Sequence, residues 1–214
     1  MKRPKFRERY FNPDAWLPMG IGYDDVRQAI RRVYDRYHRL NEFHLNEFDT
    51  RLHDSFRAMN AIGDYVGHQF DDALIDQNGN LQHNPHDDRR PDVIHKAFRS
   101  AAKDRGKPKV DGIEQKAAHF KSFLTSHNKS YTNLLFLQCR VKEKHIVKDD
   151  VEPFEFIQIL CADAGEHEWE FEPRGQGSNT TWRAADNLKD ALRSNPLYQK
   201  PETIVQNKYD ALAK

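Results

Sequence analysis

Two carboxylates and one ammonium are spaced in this chain so that folding could gather them at one point. Asp92 lies in Arg90-Pro91-Asp92-Val93-Ile94, and Glu114 and Lys116 lie in Gly112-Ile113-Glu114-Gln115-Lys116-Ala117. Side chains alternate faces along a strand, so Glu114 and Lys116 project from one side while Gln115 points away. If the segment holding Asp92 pairs with that strand, its carboxylate comes to lie beside them. Carboxylate oxygens are the hard ligands that Mg²⁺ prefers, with waters and phosphate oxygens completing its octahedron. Such an ion lowers the pKa of water and neutralises charge that builds on a phosphodiester under attack. A neighbouring lysine can orient or deprotonate the attacking water, or hold a phosphate oxygen. Glu114-Gln115-Lys116 is the only acid-any-Lys triplet in the chain, and it follows Asp111-Gly112 in a strand-like run. The competing explanation of the same residues is a surface strand with an incidental salt bridge.

Pro91-Asp92 followed by Glu114-Gln115-Lys116 resembles the motif of the PD-(D/E)xK nuclease superfamily, which includes most type II restriction endonucleases. Many members carry an acid on the preceding helix, after a glycine and an aromatic, and Gly67-His68-Gln69-Phe70-Asp71 is similar. Asp71 shares a helix face with Gly67 and Leu74, from which it could reach the cluster. The resemblance covers residues 60–162. It implies Asp92 and Glu114 as metal ligands, Asp71 as a further ligand and Lys116 as the catalytic lysine. It also implies an α/β (mixed α+β) fold with a restriction-endonuclease-like core, a central mixed sheet flanked by helices. The activity implied is Mg²⁺-dependent endonucleolytic cleavage of double-stranded DNA, by a homodimer whose two-fold symmetry matches a palindromic site. Two other expectations stand beside it: a repair, recombination or phage nuclease on the same core, and a non-catalytic nucleic-acid-binding protein.

Contacts to DNA are expected from three segments. Lys103, Arg105, Lys107 and Lys109 form a basic loop directly before the Glu114 strand, placed to grip a phosphate backbone. Lys121, Asn128 and Lys129 follow that strand, at the mouth of the site. Arg174, Gln176 and Asn179 lie in a polar loop, and residues of these types read purine edges in the major groove. Arg32, Arg36 and Arg39 on the first helix fit phosphate contacts and a solvated face equally well. Eleven histidines invite a metal reading, with His83-Asn84-Pro85-His86-Asp87-Asp88 the densest patch. Finger-type zinc sites need cysteine partners, so these histidines are expected in solvent. No Gly-x-Ser-x-Gly, Walker-type loop or dinucleotide fingerprint is present.

The elements that must position these groups follow from composition and periodicity. The 214 residues, 37% hydrophobic and 31% charged with net charge +1, suit one domain with a substantial core. No apolar run approaches the roughly 20 residues that span a bilayer, and the basic N-terminus lacks a signal peptide's apolar stretch. Cys139 and Cys161 sit singly in apolar runs, as buried thiols of a reduced cytosol would, so the expectation is cytoplasmic with no membrane partner. Apolar spacing predicts a helix from Tyr23 to Leu40. A second helical pattern runs from Leu45 to Leu74, with its break placed at Asn60 and Gly63, and a turn at Asp76–Asn80 ends it. Strands are predicted over Asp92–Phe98, Val110–Ala118, Thr132–Val141, Phe154–Cys161 and His167–Phe171. Short helices are predicted at Phe120–Asn128, Trp182–Arg193 and Glu202–Ala213. The single domain 1–214 thus has an N-terminal helical part (1–59), a catalytic core (60–162) and a C-terminal part of strand, loop and helices (163–214).

Overall fold

Apolar residues three and four apart build the first helix, α1 (Tyr23–Phe48), which buries Val26, Ala29, Ile30, Val33, Tyr34, Tyr37 and Asn41. The computed structural model describes residues 3–56, 59–85, 91–98, 112–119, 125–126, 133–141, 154–164, 169–172 and 181–201. The start of α1 is fixed by Asp25, whose carboxylate accepts the Gly22 N–H at 2.9 Å. Asp24 and Asp25 in the first turn also suit the positive end of the helix dipole. Its end is set by Asp49, which adopts the left-handed conformation (φ 51°) that a short polar side chain tolerates.

That end corrects the sequence expectation. Leu45 and Phe48 belong to α1, and the chain crosses a 3-10 turn (Leu52–Ser55) before α2 (Met59–Gln77) begins. Buried Asn41 holds this crossing by accepting the Leu52 N–H at 2.9 Å. Asn60 and Gly63, the predicted break, both lie inside α2. Two arginines weighed as phosphate contacts instead tie the helices together. Arg32 reaches Asp76 at 2.8 Å, and Arg36 donates to Gln69 Oε1 at 2.9 Å.

Beyond α2 the chain forms β1 (Leu81–His83), β2 (Val93–His95), β3 (Gly112–His119), β4 (Thr125–Ser126) and β5 (Asn133–Val141). It continues through β6 (Phe154–Asp163), β7 (Trp169–Glu172), β8 (Thr181–Ala184), α3 (Asp186–Ser194) and β9 (Pro196–Gln199). The result is a mixed α/β fold. Six strands form one mixed sheet in the order β1-β2-β3-β5-β6-β9, in which only β3 and β5 run parallel. Strands β4, β8 and β7 form a smaller antiparallel sheet.

The expected helix at Phe120–Asn128 is a strand in its described part, Thr125–Ser126, paired with β8. Trp182 likewise belongs to β8, and the helix expected from it begins only at Asp186. Residues rich in Thr and Trp suit a pleated surface, and the β7 partner decides their state here. The predicted helix at Glu202–Ala213 lies outside the described residues.

Both faces of the large sheet are covered, which is why β5 and β6 are almost continuously apolar. One face packs Leu135, Leu137, Cys139, Phe156 and Ile159 against α1 and α2. The other packs Leu134, Phe136, Leu160 and Ala162 against α3 and Trp169. Cys139 and Cys161 are free and buried, and burial pushes both thiols up to about 12, so neither is a reactive thiolate. No helix among the described residues is long and apolar enough to cross a membrane.

Candidate active site

Proline and glycine chemistry at the meeting of β2 and β3 fixes the first acid. The two strands pair at only two positions, Val93 with Ile113 and Ile94 with Gly112. The ladder ends there, because the chain bends at Asp92 and Pro91 lays its ring over Gly112. The Gln115 N–H is taken instead by the Asp92 carboxylate, Oδ2, at 2.7 Å. Asn84, just after β1, holds the same stretch from the other side. Its backbone N–H donates to the Asp92 carbonyl at 2.9 Å and its side-chain amide to the Pro91 carbonyl at 3.0 Å. Only glycine fits at 112, because a Cβ there would lie 2.0 Å from Pro91 Cγ and 2.7 Å from the Val93 carbonyl oxygen.

Glu114 and Lys116 project from β3 on the α3 face, in register with Leu134 and Phe136. Glu114 is fully buried and its Oε1 lies 2.5 Å from Lys116 Nζ, whose side chain is 20% exposed. A buried ion pair adds little net stability, since removing both charges from water offsets most of their attraction. Apolar residues would hold this strand at least as well.

Asp71 arrives from the opposite face. α2 lies close on β3 because Gly63 and Gly67 offer no side chain: a Cβ at 63 would sit 3.1 Å from the Ala117 carbonyl oxygen, and one at 67 would sit 2.2 Å from Gln115 Oε1. Gly63 thus permits close packing and does not break the helix. One turn beyond Gly67, Asp71 is buried, and its Oδ1 has no hydrogen-bond partner among the described residues. Burial pushes its carboxyl well above the usual aspartate range; the charges of Asp92 and Asp72 push it further, and Lys116 opposes them. Asp71, Asp92 and Lys116 therefore feel one another's field. The β2 side of β3 has no ladder partner beyond Ile113 among the described residues.

This titration gives a testable consequence. Asp71 keeps its proton in the folded chain at pH values where the unfolded chain has lost it. Stability is therefore full below the ordinary aspartate pKa of about 4 and falls as pH rises through the raised folded value. In chelator, Asp71→Asn is expected to lose that slope and to melt higher than wild type at pH 8, by on the order of 1 kcal/mol. Parallel melting curves for the two proteins across pH would contradict this.

Of the four acid and lysine positions expected from sequence, Glu114 and Lys116 are paired and Asp71 lies within electrostatic reach of Asp92 and Lys116. The oxygens of Asp71, Asp92 and Glu114 do not gather as a metal-ligand group; among the described residues His68, Asp72 and His83 alone do. The proposed DNA contacts Lys103, Arg105, Lys107, Lys109, Lys121, Asn128, Lys129, Arg174, Gln176 and Asn179 all lie outside the described residues. Asn84 was not foreseen, since its role depends on where β1 ends. A second constellation was also missed. His83 is exposed, as expected, but it ends β1 and is not in a loop, and its Nε2 lies 2.8 Å from Asp72 Oδ1 beside His68 on α2. The spacing of His68 and Asp72, one helical turn apart, was visible in the sequence; the arrival of His83 was not. Comparison with protein-family models, curated proteins and solved structures yields no match to this chain, so its geometry alone bears on function.

Proposed function

We propose that this chain is a cytoplasmic Mg²⁺-dependent endodeoxyribonuclease acting on double-stranded DNA, built on a restriction-endonuclease-like core of the PD-(D/E)xK type. One observation carries the reading. Asp92 is locked to the Gln115 N–H, beside a buried Glu114–Lys116 pair, with Asp71 in the same field. The donor types suit the ion, since three carboxylates offer hard oxygens and Asp71 Oδ1 is buried without a partner among the described residues. Their oxygens do not lie within ligand reach of one another here and would have to close around the ion. Asp92, Glu114 and Asp71 would hold Mg²⁺, which when bound supplies Lewis acidity toward a phosphate oxygen and eases ionisation of water.

The chain's own residues do the remainder. Lys116 Nζ, poised on Glu114, can turn to the attacking water or to a phosphate oxygen and offset the negative charge that develops there. Asp92 is held by main-chain bonds on two sides, so one ligand is preorganised before substrate binds. Leu134 and Phe136 flank Glu114 and Lys116 and keep the surroundings of the pair low in dielectric, which strengthens each charge interaction. Asp71 gives up its proton when a cation is bound, so Mg²⁺ affinity should rise with pH.

Lys103 to Lys109, Lys121 to Lys129 and Arg174 to Asn179 are the proposed DNA contacts. A homodimer would present two such sites to the two strands of a palindrome.

Thermal melts in increasing Mg²⁺ test the metal site. Wild type should gain about 2.7 kcal/mol at 100 times the dissociation constant, and Glu114→Gln should gain far less. An equal gain in both would overturn the assignment of Glu114. Discrete plasmid fragments would mark a sequence-specific enzyme, whereas cleavage confined to flaps or junctions would mark a repair or recombination nuclease.

A further inference from the structure

A second set of ligands lies on the outer side of α2, apart from the carboxylates at β3. His68 and Asp72 are one helical turn apart and share a face. His83 reaches them from the end of β1, where its backbone is fixed in register with Val93. One nitrogen from each histidine and one oxygen of Asp72 all lie within 4.8 Å of one another. The His83 Nε2–Asp72 Oδ1 distance is 2.8 Å, and the two imidazole rings stand 5.3 Å apart at 36°.

These separations bracket what a small tetrahedral ion needs. Bonds of about 2.0–2.2 Å set ligand atoms about 3.3 Å apart. Both histidines are exposed and Asp72 is partly so, and small rotations of such side chains close the difference. The frame behind them is firm: a packed helix on one side and a paired strand on the other. Arg36 supports the carboxylate from outside, with Nη1 3.7 Å from Asp72 Oδ2 and hydrogen-bonded to Gln69 Oε1 at 2.9 Å. Two imidazoles select against Mg²⁺ and for borderline dications such as Zn²⁺ or Co²⁺.

We propose that His68, Asp72 and His83 bind one Zn²⁺-class dication that fastens β1 to α2. Three protein ligands leave a coordination position for water. The clamp joins the two elements next to the candidate active site, because α2 carries Asp71 and β1 pairs with the strand that follows Asp92. It is a separate site, with softer donors than the carboxylate cluster, and it stands whether or not the chain cuts DNA.

The test is a titration of chelator-stripped protein with Co²⁺, read by visible absorption, and with Zn²⁺, read by calorimetry. Wild type is expected to bind one equivalent in the micromolar range or tighter, with the absorption of a four- or five-coordinate site. His68→Ala and His83→Ala should each weaken binding by about tenfold or more, while Glu114→Gln leaves it unchanged. The metal-free melting temperature of each variant shows that it has folded, and His68→Gln repeats the test with a side chain of similar size. Full-affinity binding in both histidine variants would overturn the proposal. So would loss of binding in Glu114→Gln alone, or no binding by wild type at 100 times protein concentration.

Discussion

Glu114→Gln is expected to lower DNA cleavage by about 10³-fold or more while leaving DNA affinity within a few-fold. Glu114 lies fully buried beside Asp92's anchor and in contact with Lys116, so its charge serves whatever is held there and not the surface that grips DNA. Lys116→Met should remove activity to a similar degree. Stability separates a catalytic pair from a structural one. Lys116→Met leaves the buried Glu114 carboxylate without this ammonium and should cost about 3–5 kcal/mol if that charge persists. Glu114→Gln should cost less, because the Lys116 ammonium left behind is part-exposed. The double variant Glu114→Gln/Lys116→Met leaves neither charge and should recover most of that loss. Cleavage should not recover with it. Chemical denaturation and a gel-shift assay in Ca²⁺, run beside the cleavage assay, read all three quantities. Recovery of cleavage in the double variant would reduce the pair to a piece of scaffolding.

Gly112→Ala should be the most damaging methyl added at any described glycine. The added carbon would stand 2.0 Å from Pro91 Cγ and 2.7 Å from the Val93 carbonyl oxygen, and neither a ring nor a backbone can swing aside. Forcing β2 from β3 should cost about 3 kcal/mol or more, above the ordinary range for overpacking, and should detach Asp92 from the Gln115 N–H. Activity should fall with stability. Gly67→Ala makes a useful contrast. Its new carbon meets the amide end of Gln115, a flexible side chain, so the same methyl should cost on the order of 1 kcal/mol there. Urea unfolding of the two variants measures the difference, and equal losses would show that Pro91 does not press on Gly112 as described.

The pairing of Glu114 with Lys116 was legible in the sequence because its rule is local. Strand alternation puts Glu114 and Lys116 on one side whatever surrounds them. Strands β5 and β6 were legible for a similar reason, since their apolar runs exceed what one covered face requires. Other features depended on partners far along the chain. Gly63 resembles a helix breaker until the Ala117 carbonyl is seen against it. Asp49, not Gly63, ends a helix, through a left-handed conformation that aspartate adopts only when the next segment turns away. Strands β1 and β9, three and four residues long, are too short to show a period. Trp182 could belong to a helix or a strand until β7 pairs with it. The contact of His83 with α2 needs β1 in place, and so does the hold of Asn84 on Asp92.

Incubation of a supercoiled plasmid of known sequence with the purified protein and millimolar Mg²⁺ tests the central claim most directly. Nicked and linear products are expected, with none in chelator and none with Glu114→Gln. Intact plasmid under those conditions, or equal cutting by Glu114→Gln, would contradict it.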